Sequence, residues 1–191
     1  MPPYRGFIDT VLQRLRDPQG TTHARSHVLT TMVHAERVVN AALGLVLRTT
    51  TLSTQASRIF YSVTAELPTS MKIRGVRDVE RNLDFLPSWM DLWFTHREWH
   101  RTQSGMLRAY GLAGRDVLVL WPSRDRDGTV DVVHSLMIPL PATEDEAVTL
   151  PDHAMPCVMD LTELLLAVKG RNYPPVDPAM DSIKKRIQAL A

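Results

Sequence analysis

The sequence has one cysteine, almost no net charge and no long apolar run. Cys157 alone cannot close an internal disulfide, which fits assembly in a reducing compartment. With 22 Lys and Arg against 21 Asp and Glu, whole-chain electrostatics give no reason to expect a nucleic-acid binder, so any polyanion contact has to come from a local patch. No apolar run approaches the ~20 residues of a membrane-spanning helix. MPPYRGFIDT carries prolines and an acid where a signal peptide needs an apolar core. The expectation is a soluble chain, not exported by a cleaved signal. GxSxG, P-loop and dinucleotide fingerprints are also missing. The two glycines of GLAG at 111–114 stand between strand-like runs with no helix to follow, which reads as a hairpin turn and not a phosphate cradle.

What is present suffices for a folded core: 191 residues, 44% of them apolar, near the usual size of one domain. In residues 4–16, Phe7, Val11 and Leu15 recur four apart, with Ile8 and Leu12 widening the stripe. From Thr22, the residues Ala24, Val28, Met32, Ala35, Val39 and Ala42 repeat at helical spacing, with Thr21 or Thr22 as N-cap and Gly44 just past the end. The texture then changes to β-branched and aromatic runs. A strand is expected over 59–65, another in MKIRGVRDV, and three more at 106–110, 117–121 and 130–138, with Asp127-Gly128 turning between the last two. Helices return at 152–169 and 178–190.

Helix, helix, a block of strands, helix, helix is an α+β order and not a doubly wound sheet. Helices at both ends bury their stripes only if the chain ends come together. The expectation is one domain: a helical bundle from 1–44 and 152–191, carrying an antiparallel β-rich insertion at 45–151.

Few constellations could carry chemistry. HREWH sets His96 and His100 four apart around Glu98, a spacing at which two imidazoles on a helix can share zinc. A metalloprotease needs its glutamate directly after the first histidine, whereas Glu98 points off the His96/His100 face. The plainer reading is surface or interface residues beside tryptophans. His23, His27 and His34 read as a solvated helix face, and Cys157 as a small core residue with no base beside it. Trp89, Trp93, Phe94 and Trp99 form either a satellite core cluster or a face for a neighbouring subunit. The terminal helix sets Met180, Ile183, Ile187 and Leu190 on one side and Lys184, Lys185 and Arg186 around the rest. Something must cover that stripe.

NLDFLPSW, then RAYGLAGRDVLVLWPSRDRDGTVDVVHSLMIP, then TEDEAVTLPDHAMPCVMDLTELLLAVKGRN form an ordered series. Its marker residues are Leu83, Asp84, Pro87, Trp89, Tyr110, Gly114, Leu118, Leu120, Pro122, Val130, Val132, Leu150 and Pro151. The series resembles the adaptor proteins, or head-to-tail connectors, of tailed bacteriophages. TTHARSH and DLWFTHREWH depart from that pattern, which has tryptophan and acids at the first place and Gly-Pro at the second. The resemblance implies a structural virion protein and not an enzyme, with no cofactor, metal or catalytic residue. It implies many copies in a ring, expected as a dodecamer, under the portal protein in the virion neck. The ring extends the channel for genomic DNA without sequence-specific binding, offers a surface to tail or stopper proteins, and is assembled in the host cytoplasm with no membrane involved. Residues 176–191 are then the expected portal anchor, with Ile183, Ile187 and Leu190 as apolar contacts and Lys184, Lys185 and Arg186 adding salt-sensitive pairs. Docking of that helix on its own bundle stays open beside this. The alternatives are a metal-dependent, hydrolase-like enzyme using His96, Glu98 and His100, or a small binding module.

The purified protein is expected to carry no zinc, and His96→Ala and His100→Ala to act on stability alone. Elemental analysis decides it: stoichiometric zinc lost in both variants overturns the structural reading.

Overall fold

The helical spacing near the start of the chain becomes α1 (Tyr4–Arg14) and α2 (Arg25–Leu43). The computed structural model describes residues 2–79, 81–88, 90, 106–114, 116–169 and 176–190. Where the sequence reading has one domain, the chain divides into two compact units, Met1–Val46 with Met137–Ala191, and Leu47–Leu136. The fold is mixed α+β.

In the first unit Ile8, Val11 and Leu12 of α1 and Val28, Met32, Ala35 and Val39 of α2 are fully buried, each Val, Ile, Leu or Met contributing about 1.5–3 kcal/mol. A one-turn 3₁₀ segment, Asp152–Ala154, leads into α4 (Met155–Lys169), and α5 (Val176–Leu190) follows; a short α3 lies in the other unit. α1, α2, α4 and α5 share one apolar core. Ile138, Val148 and Leu150 belong to it as well, so 137–151, assigned from sequence to the β-rich insertion, lies in the helical unit. Three apolar residues spaced along a proline-marked connector leave no periodicity to find.

Gly44 ends α2 in the left-handed region at φ 70, its N–H bonding Asn40 O, as the sequence indicates. The buried Asn40 side chain then clamps the exit: Oδ1 accepts from Val46 N at 2.8 Å, and Nδ2 donates to Val46 O at 3.3 Å. The start of α2 differs from expectation. Neither Thr21 nor Thr22 caps it; Ala24 holds the N-cap position with no side-chain bond. The loop is organised instead by Asp17, whose carboxylate accepts from the amides of Thr21, Thr22 and His23 and from Thr21 Oγ1 at 2.7–2.9 Å. Burial works against ionising Asp17, but these four donors together outweigh it and hold the carboxyl at about 2.

The second unit holds β1 (Leu47–Thr54), β2 (Phe60–Ser62), α3 (Val63–Glu66), β3 (Ser70–Asp78), β4 (Arg81–Asn82), β5 (Asp84–Leu86), β6 (Ala109–Ala113), β7 (Val117–Trp121) and β8 (Gly128–Leu136). One four-stranded sheet runs β1-β8-β3-β4, all antiparallel; the other runs β2-β7-β6-β5, with β5 parallel to β6. Leu52, Ile73, Val76, Val130 and Val132 from the first sheet and Tyr61, Tyr110, Leu118 and Leu120 from the second enclose one core. Ile59, Ala109, Val119 and Trp121 form a second cluster.

RAYGLAGRDVLVLWP is a hairpin, with Ala109 opposite Trp121 and Ala113 opposite Val117. Its turn falls at Gly114, φ 70, so Gly111 and Leu112 lie in the strand. The strand expected over 59–65 stops at Ser62, because Ser62 Oγ accepts from Ala65 N and starts the helical turn α3. The turn expected between the last two strands is a crossing instead: β7 and β8 lie in different sheets, joined through a cis Trp121–Pro122 bond, and Gly128 has no positive φ. A Cβ at Gly128 would collide with the Arg124 guanidinium, which is ion-paired with Asp78. Close approach is what this glycine permits.

Asp17→Asn is expected to lower Tm by several degrees at pH 7. The folded pKa is depressed, so the stabilisation is complete above the ordinary value of 3.8 and is lost as pH falls toward about 2. Thermal melts across that window should show wild type and variant converging.

Candidate interaction surface

The terminal helix is the first place to look for a surface. In α5, Ile183 is 5% exposed within the core of the helical unit, and Ile187 packs partly against it. This corrects the assignment of Ile183 as a partner contact: an amphipathic stripe requires cover, and the unit's own helices supply it. Lys184, Lys185 and Arg186 are exposed. Arg186 pairs with Asp160 of α4 at 2.6 Å, and Lys184 meets Asp181 at 3.7 Å with both side chains largely in solvent. Leu190 ends α5, its side chain outside the described residues.

Asp160 also takes Arg14 from α1 at 3.2 Å, and Glu163 takes the same guanidinium at 2.9 Å. Burial pushes the Glu163 carboxyl above its usual range, and Arg14 works in the opposite direction. A cleft of about 320 Å³ lies here, lined by Leu15, Asp160, Glu163, Leu164, Ser182 and Ile183. Cys157 is buried, and burial followed by the nearby Asp160 charge raises its thiol pKa, which makes it an inert core residue.

Trp89, Trp93, Phe94 and Trp99, and the His96, Glu98 and His100 set, lie outside the described residues. Among the described residues, no three His, Cys, Asp or Glu side chains gather to hold a metal. His27 and His34 are exposed and His23 half-buried. No described helix is long and apolar enough to cross a membrane.

Glu36 and His134 are buried in their units, and both act structurally. Tyr4 Oη donates to Glu36 Oε2 at 2.5 Å inside the helical core, where burial raises the pKa of the carboxyl. The amides of Leu150 and Thr149 also favour its ionised form, although Oε1 has no hydrogen bond of ordinary geometry. In the β-rich unit, His134 Nε2 shares a 3.0 Å hydrogen bond with Thr50 Oγ1. Burial lowers the His134 pKa against a backbone bond to Ser135, and Arg48 lowers it further.

Outside these clusters, the surface is marked by uncovered apolar side chains. In the β-rich unit Val79 is 82% exposed, at the tip of the β3–β4 hairpin, and Met106, Phe85, Leu47 and Phe60 are each about half exposed. Phe85 stands against Tyr110, ring centroids 5.3 Å apart. Single exposed apolar residues have no signature in a sequence, because a half-buried strand gives the same alternation whichever face is wet. No protein-family model matches this chain, and no curated protein matches it.

Ile183→Ala is expected to destabilise the protein by about 2–4 kcal/mol, as for a buried aliphatic side chain. Lys185→Ala is expected to stay within about 0.5 kcal/mol. Denaturant titration of both checks the division between covered and free faces of α5.

Proposed function

We propose that the protein is a structural head-to-tail adaptor of a tailed bacteriophage, without catalytic activity. Its copies form a ring, a dodecamer in this reading, under the portal protein in the virion neck. That ring continues the channel for genomic DNA and offers its far side to tail or stopper proteins.

The division of the chain carries this reading. The adaptors it resembles insert a small antiparallel β module into a helical bundle, and we read Leu47–Leu136 as that module and the helices of Met1–Val46 and Met137–Ala191 as that bundle. The marker residues fit a structural role: Leu83, Tyr110, Leu118, Leu120, Val130 and Val132 are buried in the β-rich unit, Leu150 is buried in the helical unit, and Gly114 makes a turn. These are positions at which a framework is specified. With Ile183 committed to its own core, the portal contact is assigned to the wet side of α5, Lys184 and Lys185, with Arg186 held on Asp160.

Portal rings mixed with the purified protein should acquire a second ring, seen by native mass spectrometry and negative-stain images. Lys184→Glu with Lys185→Glu should weaken that association about tenfold or more at low salt and flatten its salt dependence. Absence of binding to portal rings at every salt concentration sinks the adaptor reading.

A further inference from the structure

We propose that the outer edge of β1 is a self-association site, where β1 of a second copy adds antiparallel about a two-fold axis and joins two sheets into one. This goes beyond the adaptor reading and does not rest on it, because a closed ring needs head-to-tail contacts whereas this contact is isologous.

Among the described residues, four strands lie at sheet edges. β2 and β5 have three residues each and β4 has two, lengths that suit a protected edge, while β1 has eight. Leu47–Thr54 pairs along its whole length with β8 and, among the described residues, makes no other backbone hydrogen bond, which leaves its outward N–H and C=O groups without a described partner. Leu47, Arg48, Thr49, Thr51 and Ser53 are exposed. The usual protections are missing too, for LRTTTLST contains no proline, no bulge and one charge.

The occupant follows from symmetry and charge. A two-fold axis between antiparallel edge strands must stand perpendicular to the sheet, so residues facing each other share a face and their numbers sum to an even value. Centred on Thr51, the register sets Thr49 opposite Ser53, Thr50 opposite Leu52 and Arg48 opposite Thr54, so the two arginines never meet. The free part of β3 in a second copy is a poorer partner. It carries two cations, Lys72 and Arg74, and bulges at Ser70/Lys72 and Ile73/Gly75 break its ladder.

Sedimentation velocity over a dilution series of the full chain tests this. The expected result is a monomer–dimer equilibrium for wild type, weakened about tenfold or more by Thr49→Lys/Ser53→Lys, which sets like charges opposite each other, and restored by Thr49→Lys/Ser53→Glu. Amide exchange on wild type gives a second readout: residues 48–54 should slow as concentration rises. A wild type that stays monomeric, a Lys/Lys variant that associates like wild type, or exchange that ignores concentration each overturns the proposal. None of these readings involves portal, so failure here and failure of the adaptor reading are separable.

Discussion

The helical unit depends on the need of α2 to bury more than one face. Val28, Met32, Ala35 and Val39 are shielded together with Leu29 and Val33, a stripe too broad for a single partner helix to cover. α1 precedes it by one short loop, and the rest of the cover comes from beyond residue 136: Ile138, Val148, Leu150 and the apolar side of α4. That requirement draws distant parts of the chain into one core and leaves 47–136 to fold as a unit of its own.

Helical periodicity was the most legible signal, because a stripe at 3.6-residue spacing has one physical meaning. Hence α2, α4 and the stop at Gly44 could be read directly, as could β7 from a run of Val and Leu closed by Trp-Pro. Features set by a partner distant in space were not legible. Asp17 organises a loop through donors four to six residues ahead, which displaced the expected threonine caps. Ser62 diverted an apolar alternation into a helical turn, and the link from β7 to β8 looked like a hairpin only because nothing local records a change of sheet. The candidate site shows the same limit. The stripe of α5 announces that something covers Ile183 without saying what, and the open edge of β1 depends on which strand is outermost, a property of topology.

Buried polar groups mark where each core admits one arrangement. Asn40 ties the end of α2 to Val46, Glu36 accepts from Tyr4 across the helical core, and His134 meets Thr50 beneath the first sheet. A buried donor or acceptor that loses its partner costs about 1–3 kcal/mol, so these contacts penalise slipped registers more than apolar packing can. In the first sheet this bears on β1 directly: a one-residue slip against β8 separates Thr50 from His134 and turns Leu52 to solvent.

The split helical unit also fixes an order of events during synthesis. A ribosome delivers α1 and α2 first, when the residues that cover them do not yet exist, and then the whole of 47–136, which holds its own core and its own ladders. The β-rich unit is therefore the first part of the chain able to complete itself, while the earlier helices wait with their apolar side uncovered until α4 leaves the exit tunnel. For that interval the nascent chain offers an amphipathic helical pair to any chaperone at the ribosome.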